Sequence, residues 1–326
     1  MLLSKNMIRI VRFSDTEVAM LKQKNMKKRK NKDVLASSTT ENVILNIIFI
    51  LVTIVFLYPV LVVVGVSFTD SASLIENGYG IFPEKFSLEA YKLALKSGDI
   101  IVAYRNTIAS TVIGTFLGVL IMLLYAYPLS RKNFKHRKFY TFYAYFTTIF
   151  GGGMVPWYMI CTQLLHINNT FFALFLPSLV NVWNIIVLRT FITTNIPDSI
   201  LESAKLDGCS EFRAFVSIVV PLSKAGVATI ALFTALAFWN NYYLPMMLIT
   251  DPELYNLQYY LQLIFLNIEA LTKNTVLSAA NENAIKIPAE TTRFAMCVLA
   301  MGPILFVYPF FQKYFVKGLT VGSVKG

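Results

Sequence analysis

His136 and His166 are the only two histidines in this sequence, one beside basic residues and the other in a polar break between apolar runs. Neither a histidine-centred triad nor a multi-histidine metal centre can be assembled from them. The three cysteines, Cys161, Cys209 and Cys297, are odd in number and widely spaced, so neither a disulfide nor a metal site is expected. No G-x-x-x-x-G-K-[ST] run occurs to cradle ATP, and hydrolysis of ATP is not expected on this polypeptide. What is regularly spaced is suited to recognition. Ser199 followed by Glu202 reads as a capping box opening a short helix, and Gly208 can supply its left-handed stop. Ser210 with Glu211 can start a second helix, which Pro221 ends or kinks. The product, over residues 196–221, is a helix, a glycine turn and a helix: a rigid knob that another protein could grip.

The elements that must hold this knob are apolar. Of 326 residues, 56% are hydrophobic and 14% charged, against a charged fraction of about 25% in soluble domains. The formal charge is +11, but Lys and Arg cluster between apolar runs, which favours membrane topology over nucleic-acid binding. A charge near the bilayer centre costs about 2.5 to 3.5 kcal/mol, so stretches free of Asp, Glu, Lys and Arg mark the spans. Residues 43–68, 106–130, 225–250 and 294–312 are such stretches, each near the roughly 20 residues that cross the hydrocarbon. Residues 139–188 form a longer one whose middle holds His166, Asn168, Asn169 and Thr170, and they read as two spans joined by a turn. The expected fold is therefore an all-α integral membrane protein with six transmembrane helices, at about 43–68, 104–130, 139–162, 170–189, 225–250 and 292–313. The apolar run 254–268 is short for a span and is expected to pack at the outer interface.

Basic residues orient the bundle. Lys22, Lys24 and the run Lys27-Lys28-Arg29-Lys30 precede the first span, and Arg131, Lys132, Lys135, Arg137 and Lys138 follow the second. Placing both inside puts residues 189–224 and the tail 317–326 inside too, with the N- and C-termini cytoplasmic and the acid-richer loops 70–99 and 251–290 outside. Residues 1–42 are basic and polar and do not read as a secretory signal. Two alternatives stand for them: a disordered cytoplasmic arm drawn to anionic lipid, or a biological start further in, with Met26 one candidate.

The knob carries a resemblance. Glu202, Ala204, Gly208, Ile218 and Pro221 match the EAA pattern E-A-A-x3-G-x9-I-x-L-P, with Ser203 and Val220 departing from it. On these residues the chain resembles the permease subunits of type I ATP-binding-cassette importers. The resemblance implies that residues around Ser199, Glu202, Ala204, Asp207, Gly208, Ile218 and Pro221 dock into a separate ATPase. Three further stretches, Ala126-Tyr127-Pro128-Leu129-Ser130-Arg131, Gly151-Gly152-Gly153-Met154-Val155-Pro156 and the tail from Lys317, look like the branch that takes up oligosaccharides and complex glycans.

Several expectations follow from that resemblance. The chain is a non-catalytic subunit in a bacterial cytoplasmic membrane and binds no cofactor itself; ATP and Mg belong to a partner ATPase dimer. A second, homologous permease completes the path, and an extracellular solute-binding protein, expected as a lipoprotein, delivers a carbohydrate. Lipid surrounds the bundle and nucleic acid has no part. A sugar offers hydroxyls and flat apolar faces, so aromatic rings beside side-chain amides suit its passage. Trp239, Asn240, Asn241 and Tyr242 have that character, as do Trp183 with Asn184 and Trp157 with Tyr158. The same amides could instead bridge helices, and the aromatics could be interface anchors. Gly151–Gly153 and Pro156 are expected to loosen or break the third span. The competing class is an ion-coupled carrier or another stand-alone six-span protein, which usually needs ionisable residues inside its spans. The charge-free runs lack them.

Overall fold

A computed structural model describes residues 39–95, 99–277, 290–305 and 309. Among the described residues the chain is mostly helical and holds no strand beyond an isolated bridge between Thr69 and Phe86. The backbone divides into two compact units, residues 1–61 and 62–326.

Helix α1 (Thr39–Ser67) runs for 29 residues and is apolar on every side, the pattern of a helix solvated by lipid. In the second unit, α2 (Ser71–Asn77) and α3 (Glu89–Leu95) are short helices of a connecting segment. Phe68 stacks there on Phe86 and Tyr91, with centroids 5.6 and 5.0 Å away.

Helix α4 (Asp99–Ser130) is the longest element at 32 residues, about 48 Å at 1.5 Å per residue. It packs most extensively against α7 (Val182–Asn195) and α11 (Lys224–Trp239). Lipid tails are as apolar as leucine, so such helices are held by close approach more than by exclusion of water. Gly118 permits that approach: a Cβ there would stand 2.7 Å from the carbonyl oxygen of Leu179.

Between α4 and α7 the chain is broken repeatedly. Helix α5 (Arg137–Ile149) stops before Gly151–Gly153, and α6 (Met154–Met159) runs into a π turn at Ile160–Leu164. His166 and Asn169 both take positive φ, and two 3-10 turns, Phe171–Leu174 and Leu176–Ser178, lead to α7. After α7 come α8 (Asp198–Leu206) and α9 (Glu211–Ala214), a π turn at Phe215–Val219, α10 (Val220–Leu222) and α11. Asn240–Tyr242 separate α11 from α12 (Tyr243–Leu248). Helices α13 (Leu257–Leu277) and α14 (290–305) complete the described chain.

The charge-free runs are thus more broken than the sequence suggests. Among the described residues two helices, Thr40–Ser67 and Ile100–Ser130, are long and apolar enough to cross a bilayer. Two bent pairs, Phe171–Ser178 with Val182–Asn195 at 55° and Glu211–Leu222 with Lys224–Trp239 at 79°, bring the number to four if each is one span. The run 139–162 splits at its glycines, and 225–250 splits where Asn240 and Asn241 bind backbone groups. The first break is the one expected at Gly151–Gly153; counting charges misses the second, because asparagine breaks helices without adding charge. Most of the basic arm 1–42, the end of the expected last span and the tail 317–326 lie outside the described residues. The run 254–268 contributes to α13, which packs on α4: the Leu257 amide donates to Thr107 Oγ1 at 2.7 Å.

Candidate functional site

The spaced segment folds as a helical hairpin. Its first helix differs from expectation: Ser199 does not cap it. Helix α8 begins at Asp198, Pro197 takes the capping position, and no side chain bonds the free amides there. Proline fixes φ near the value a helix start needs, and Asp198 places a carboxylate in the first turn, which favours the positive helix end. Ser199 lies inside the helix, its carbonyl accepting from Ser203 Oγ at 2.9 Å. At the other end Gly208 takes φ 79°. Its amide donates to Lys205 O at 3.0 Å and that of Cys209 to Ala204 O at 2.9 Å, which closes the helix behind Asp207. Ser210 then caps α9, its hydroxyl accepting from the Arg213 amide at 3.3 Å.

This hairpin is fastened to the C-terminal end of α4. Tyr127 Oη donates to Glu211 Oε2 at 2.9 Å while its ring lies 5.3 Å from that of Phe215. Lys205 pairs with the other oxygen of Glu211, bridging α8 to α9. The Lys205 ammonium first, and the Tyr127 hydroxyl after it, hold the Glu211 carboxyl below its usual range against the opposing pull of partial burial. Arg131 reaches Asp198 at 3.2 Å and Lys132 reaches it at 3.4 Å. Beneath these polar ties Leu201, Ala214, Phe215 and Val219 join Leu129, Leu188 and Ile192 in one buried cluster, with Ile218 packed against it half-buried. A cavity of about 580 Å3 opens between the two parts, lined by Arg131, Lys132, Glu202 and Lys205 among others.

The outer surface of the hairpin is left bare. Leu206 is 89% exposed and Phe212 72%, one on either side of the Gly208 turn, with Glu202, Asp207 and Pro221 also exposed. Large apolar side chains presented on a braced, glycine-bounded projection form a surface suited to protein contact.

The second feature is a cavity of about 320 Å3 between α4, α7, α11 and α12. It brings Asn184 and Asn241 together, with Asn181, Ser178, Thr234 and Tyr243. Asn184 is buried, its Nδ2 3.5 Å from Thr234 Oγ1, while Asn181 Oδ1 caps α7 by accepting the Asn184 amide at 3.2 Å. Asn241 Oδ1 accepts the Leu244 amide at 3.1 Å, and its carbonyl receives Asn256 Nδ2. The other candidates lie elsewhere. Trp239 is buried with Ile100, Leu257 and Met296, and its Nε1 donates to Ala300 O at 3.0 Å. Asn240 turns back onto Leu236 O at 2.9 Å. Trp183 and Tyr242 are exposed, and Trp157 packs 6.0 Å from Tyr243.

An amide-bearing cavity and a braced apolar projection thus lie on one helical chain. The model of the family described as "Binding-protein-dependent transport system inner membrane component" matches residues 34–321. The chain belongs to this family. It is 35% identical over 268 residues to "Protein LplC" of Bacillus subtilis, covering 82% of this chain and 89% of that protein. It is 34% identical to the "Polygalacturonan/rhamnogalacturonan transport system permease protein YtcP" of the same organism, over 82% of this chain and 92% of that one. Among solved structures it resembles a chain in the crystal structure of a bacterial ABC transporter involved in import of the acidic polysaccharide alginate. That likeness has a TM-score of 0.71 and 27% identity, covering 86% of this chain and 99% of the other. The protein is accordingly a membrane-embedded transport permease of the type I importer fold.

Reading the sequence misses part of what this permease uses. Tyr127 is noted only for resemblance and Arg131 for that and for topology, yet they fasten the hairpin. A proline beside a basic residue at the end of a span was the available signal. Asn169 is missed as well: its Oδ1 accepts from the Thr250 amide at 2.6 Å and the Asp251 amide at 3.2 Å, clasping two distant loops. Its positive φ is invisible in the sequence.

Proposed function

We propose that this permease imports a carbohydrate, an oligosaccharide or a piece of a larger glycan, and is driven by a separate ATPase through the hairpin 196–221. The observation that carries this is the fastening of the hairpin to α4 through Tyr127, Glu211 and Lys205. A push on the exposed Leu206 and Phe212 is thereby delivered to the longest helix of the bundle. Coupling between distant sites needs such a stiff connector and a bundle with two arrangements.

In this reading the chain crosses the membrane six times with both ends in the cytoplasm, each broken run counting as one crossing. It pairs with a homologous permease, an ATPase dimer that carries ATP and Mg, and an extracellular solute-binding protein in a bacterial cytoplasmic membrane. Closure of the ATPases turns the bundles outward, the binding protein releases its ligand, and hydrolysis returns them. Asn184, Asn241 and Tyr243 supply amides and a ring to the passage, whereas Trp239 serves helix packing. Carbohydrate as the cargo is supported by the names of the relatives: besides the polygalacturonan permease, an arabinooligosaccharide permease of Bacillus subtilis is 26% identical over 86% of this chain.

The test is a cysteine placed at Leu206, paired with one in the cleft of the co-purifying ATPase. Cross-linking that abolishes ATP-dependent uptake supports the reading. Uptake by the chain reconstituted alone, without an ATPase, overturns it.

A further inference from the structure

A cationic cavity adjoins the one between hairpin and α4, sharing Lys132 and Phe134 with it. It measures about 730 Å3 and is lined by Lys132, Lys135, Arg137, Lys138 and Arg189, with Phe134, Phe142 and Tyr145 among its apolar walls. Lys132 is paired to Asp198, and Arg189 Nε donates to Leu129 O at 3.2 Å. Lys135, Arg137 and Lys138 have no carboxylate within ion-pair distance among the described residues. Thr141 is also in the wall of this cavity, its hydroxyl turned away from the open space and buried. Like charges gathered around one space repel unless an anion lies between them. Adjoining the cavity, and sharing Phe134 with it, is an apolar groove of about 360 Å3 lined by Ile121, Leu124, Leu129 and Tyr140.

We propose that this pair of spaces binds one anionic phospholipid of the cytoplasmic leaflet, its phosphate among Lys135, Arg137, Lys138 and Arg189 and an acyl chain along Ile121 and Leu124 past Phe134. A phosphodiester supplies the missing negative charge and can accept from the ammonium and guanidinium groups. The apolar groove beside the cations selects a lipid over a free anion, since inorganic phosphate leaves it unfilled. Basic residues at the inner membrane surface attract anionic lipid in general; here a shaped cavity gives them a particular molecule to hold. The proposal rests on the cytoplasmic placement of residues 131–138, and on no other part of the transport reading.

Native mass spectrometry of the full-length protein in detergent tests it, with phosphatidylglycerol, phosphatidylcholine and inorganic phosphate as probes. Wild type should retain phosphatidylglycerol at least tenfold better than phosphatidylcholine. The triple variant Lys135→Gln, Arg137→Gln, Lys138→Gln should lose that preference, and Lys135→Arg with Lys138→Arg should keep it. An unfolding temperature in phosphatidylcholine equal to that of wild type shows that the triple variant is folded. A preference that survives the triple variant overturns the proposal, as does displacement of the lipid by millimolar inorganic phosphate. Carbodiimide cross-linking of Lys135 to a carboxylate of a co-purifying subunit also overturns it, by assigning the cavity to a protein interface. An impermeant maleimide should label Lys135→Cys, in a background lacking the native cysteines, from inside-out vesicles only. Labelling from intact cells refutes the leaflet while leaving the lipid preference as a separate result.

Discussion

The hydroxyl of Tyr127, near the end of α4, donates to the Glu211 carboxylate on α9 at 2.9 Å, so one hydrogen bond ties the longest helix to the projecting hairpin. A hydrogen bond to a charged group is worth about 1.5 to 3 kcal/mol when buried and less where water reaches it, as here. Tyr127→Phe keeps the ring against Phe215 and removes only the tie. The expected result is normal expression with uptake reduced several-fold and more ATP hydrolysed per sugar carried, measured in proteoliposomes containing the ATPase.

The same tie has a pH signature. Glu211 is held below its usual carboxylate range in the folded protein, so it binds fewer protons folded than unfolded. Its contribution is present above the unfolded value of about 4.3 and fades as the pH falls through the lower folded value. In Glu211→Gln that part of the acid sensitivity should vanish, read as a flatter unfolding temperature against pH below about 4.3.

Gly208 has a positive φ and open space where a Cβ would go. Substitution there acts through the backbone alone. Gly208→Val should cost about 1 to 2 kcal/mol of local strain and disrupt the turn, whereas Gly208→Asn, which tolerates the left-handed region, should keep most of it. Uptake should fall strongly in the first and moderately in the second, with both proteins present in the membrane. Equal uptake in both would show that the turn angle is unimportant.

Asp198 has two cationic partners of different standing. The Arg131 side chain is 15% exposed and that of Lys132 is 76% exposed. Asp198→Asn leaves a largely buried guanidinium with its charge unmatched and should destabilise by about 1 to 3 kcal/mol. Lys132→Gln should stay within about 0.5 kcal/mol. Unfolding temperatures in detergent compare the two.

Asn184 and Trp239 separate passage from packing. Asn184→Leu removes an amide from the cavity wall and should raise KM for the sugar with little change in unfolding temperature, since its bond to Thr234 is long at 3.5 Å. Trp239→Phe loses the bond to Ala300 and should lower stability while leaving KM unchanged. The opposite pattern would move the passage from the Asn184 cavity to the Trp239 side of α11.

Much of this is legible in the residues and some of it is not. Gly208 and Ser210 are readable because a left-handed stop and a helix cap are local choices, made by one residue and its neighbours. The start of α8 is misread because Ser199 and Glu202 satisfy a capping pattern that Pro197, two positions before it, makes unnecessary. Asn184 and Asn241 stand out as amides in apolar runs, but their shared cavity depends on the crossing of α7 with α11 and α12, which no spacing encodes. Trp239 looks like its amide neighbours in sequence and differs only in what packs over it. The clasp at Asn169 joins loops some eighty residues apart and leaves no local trace.

The π turn at Phe215–Val219 holds one more residue than an α turn would. Each residue of an α-helix turns its successor by about 100°, so this insertion sets the rotational phase between the hairpin and α11. Deleting one of its exposed residues, Val216 or Ser217, would tighten the turn to α geometry and revolve Leu206 and Phe212 around the helix axis. The direction in which the hairpin presents its exposed apolar face is thus stored as a residue count.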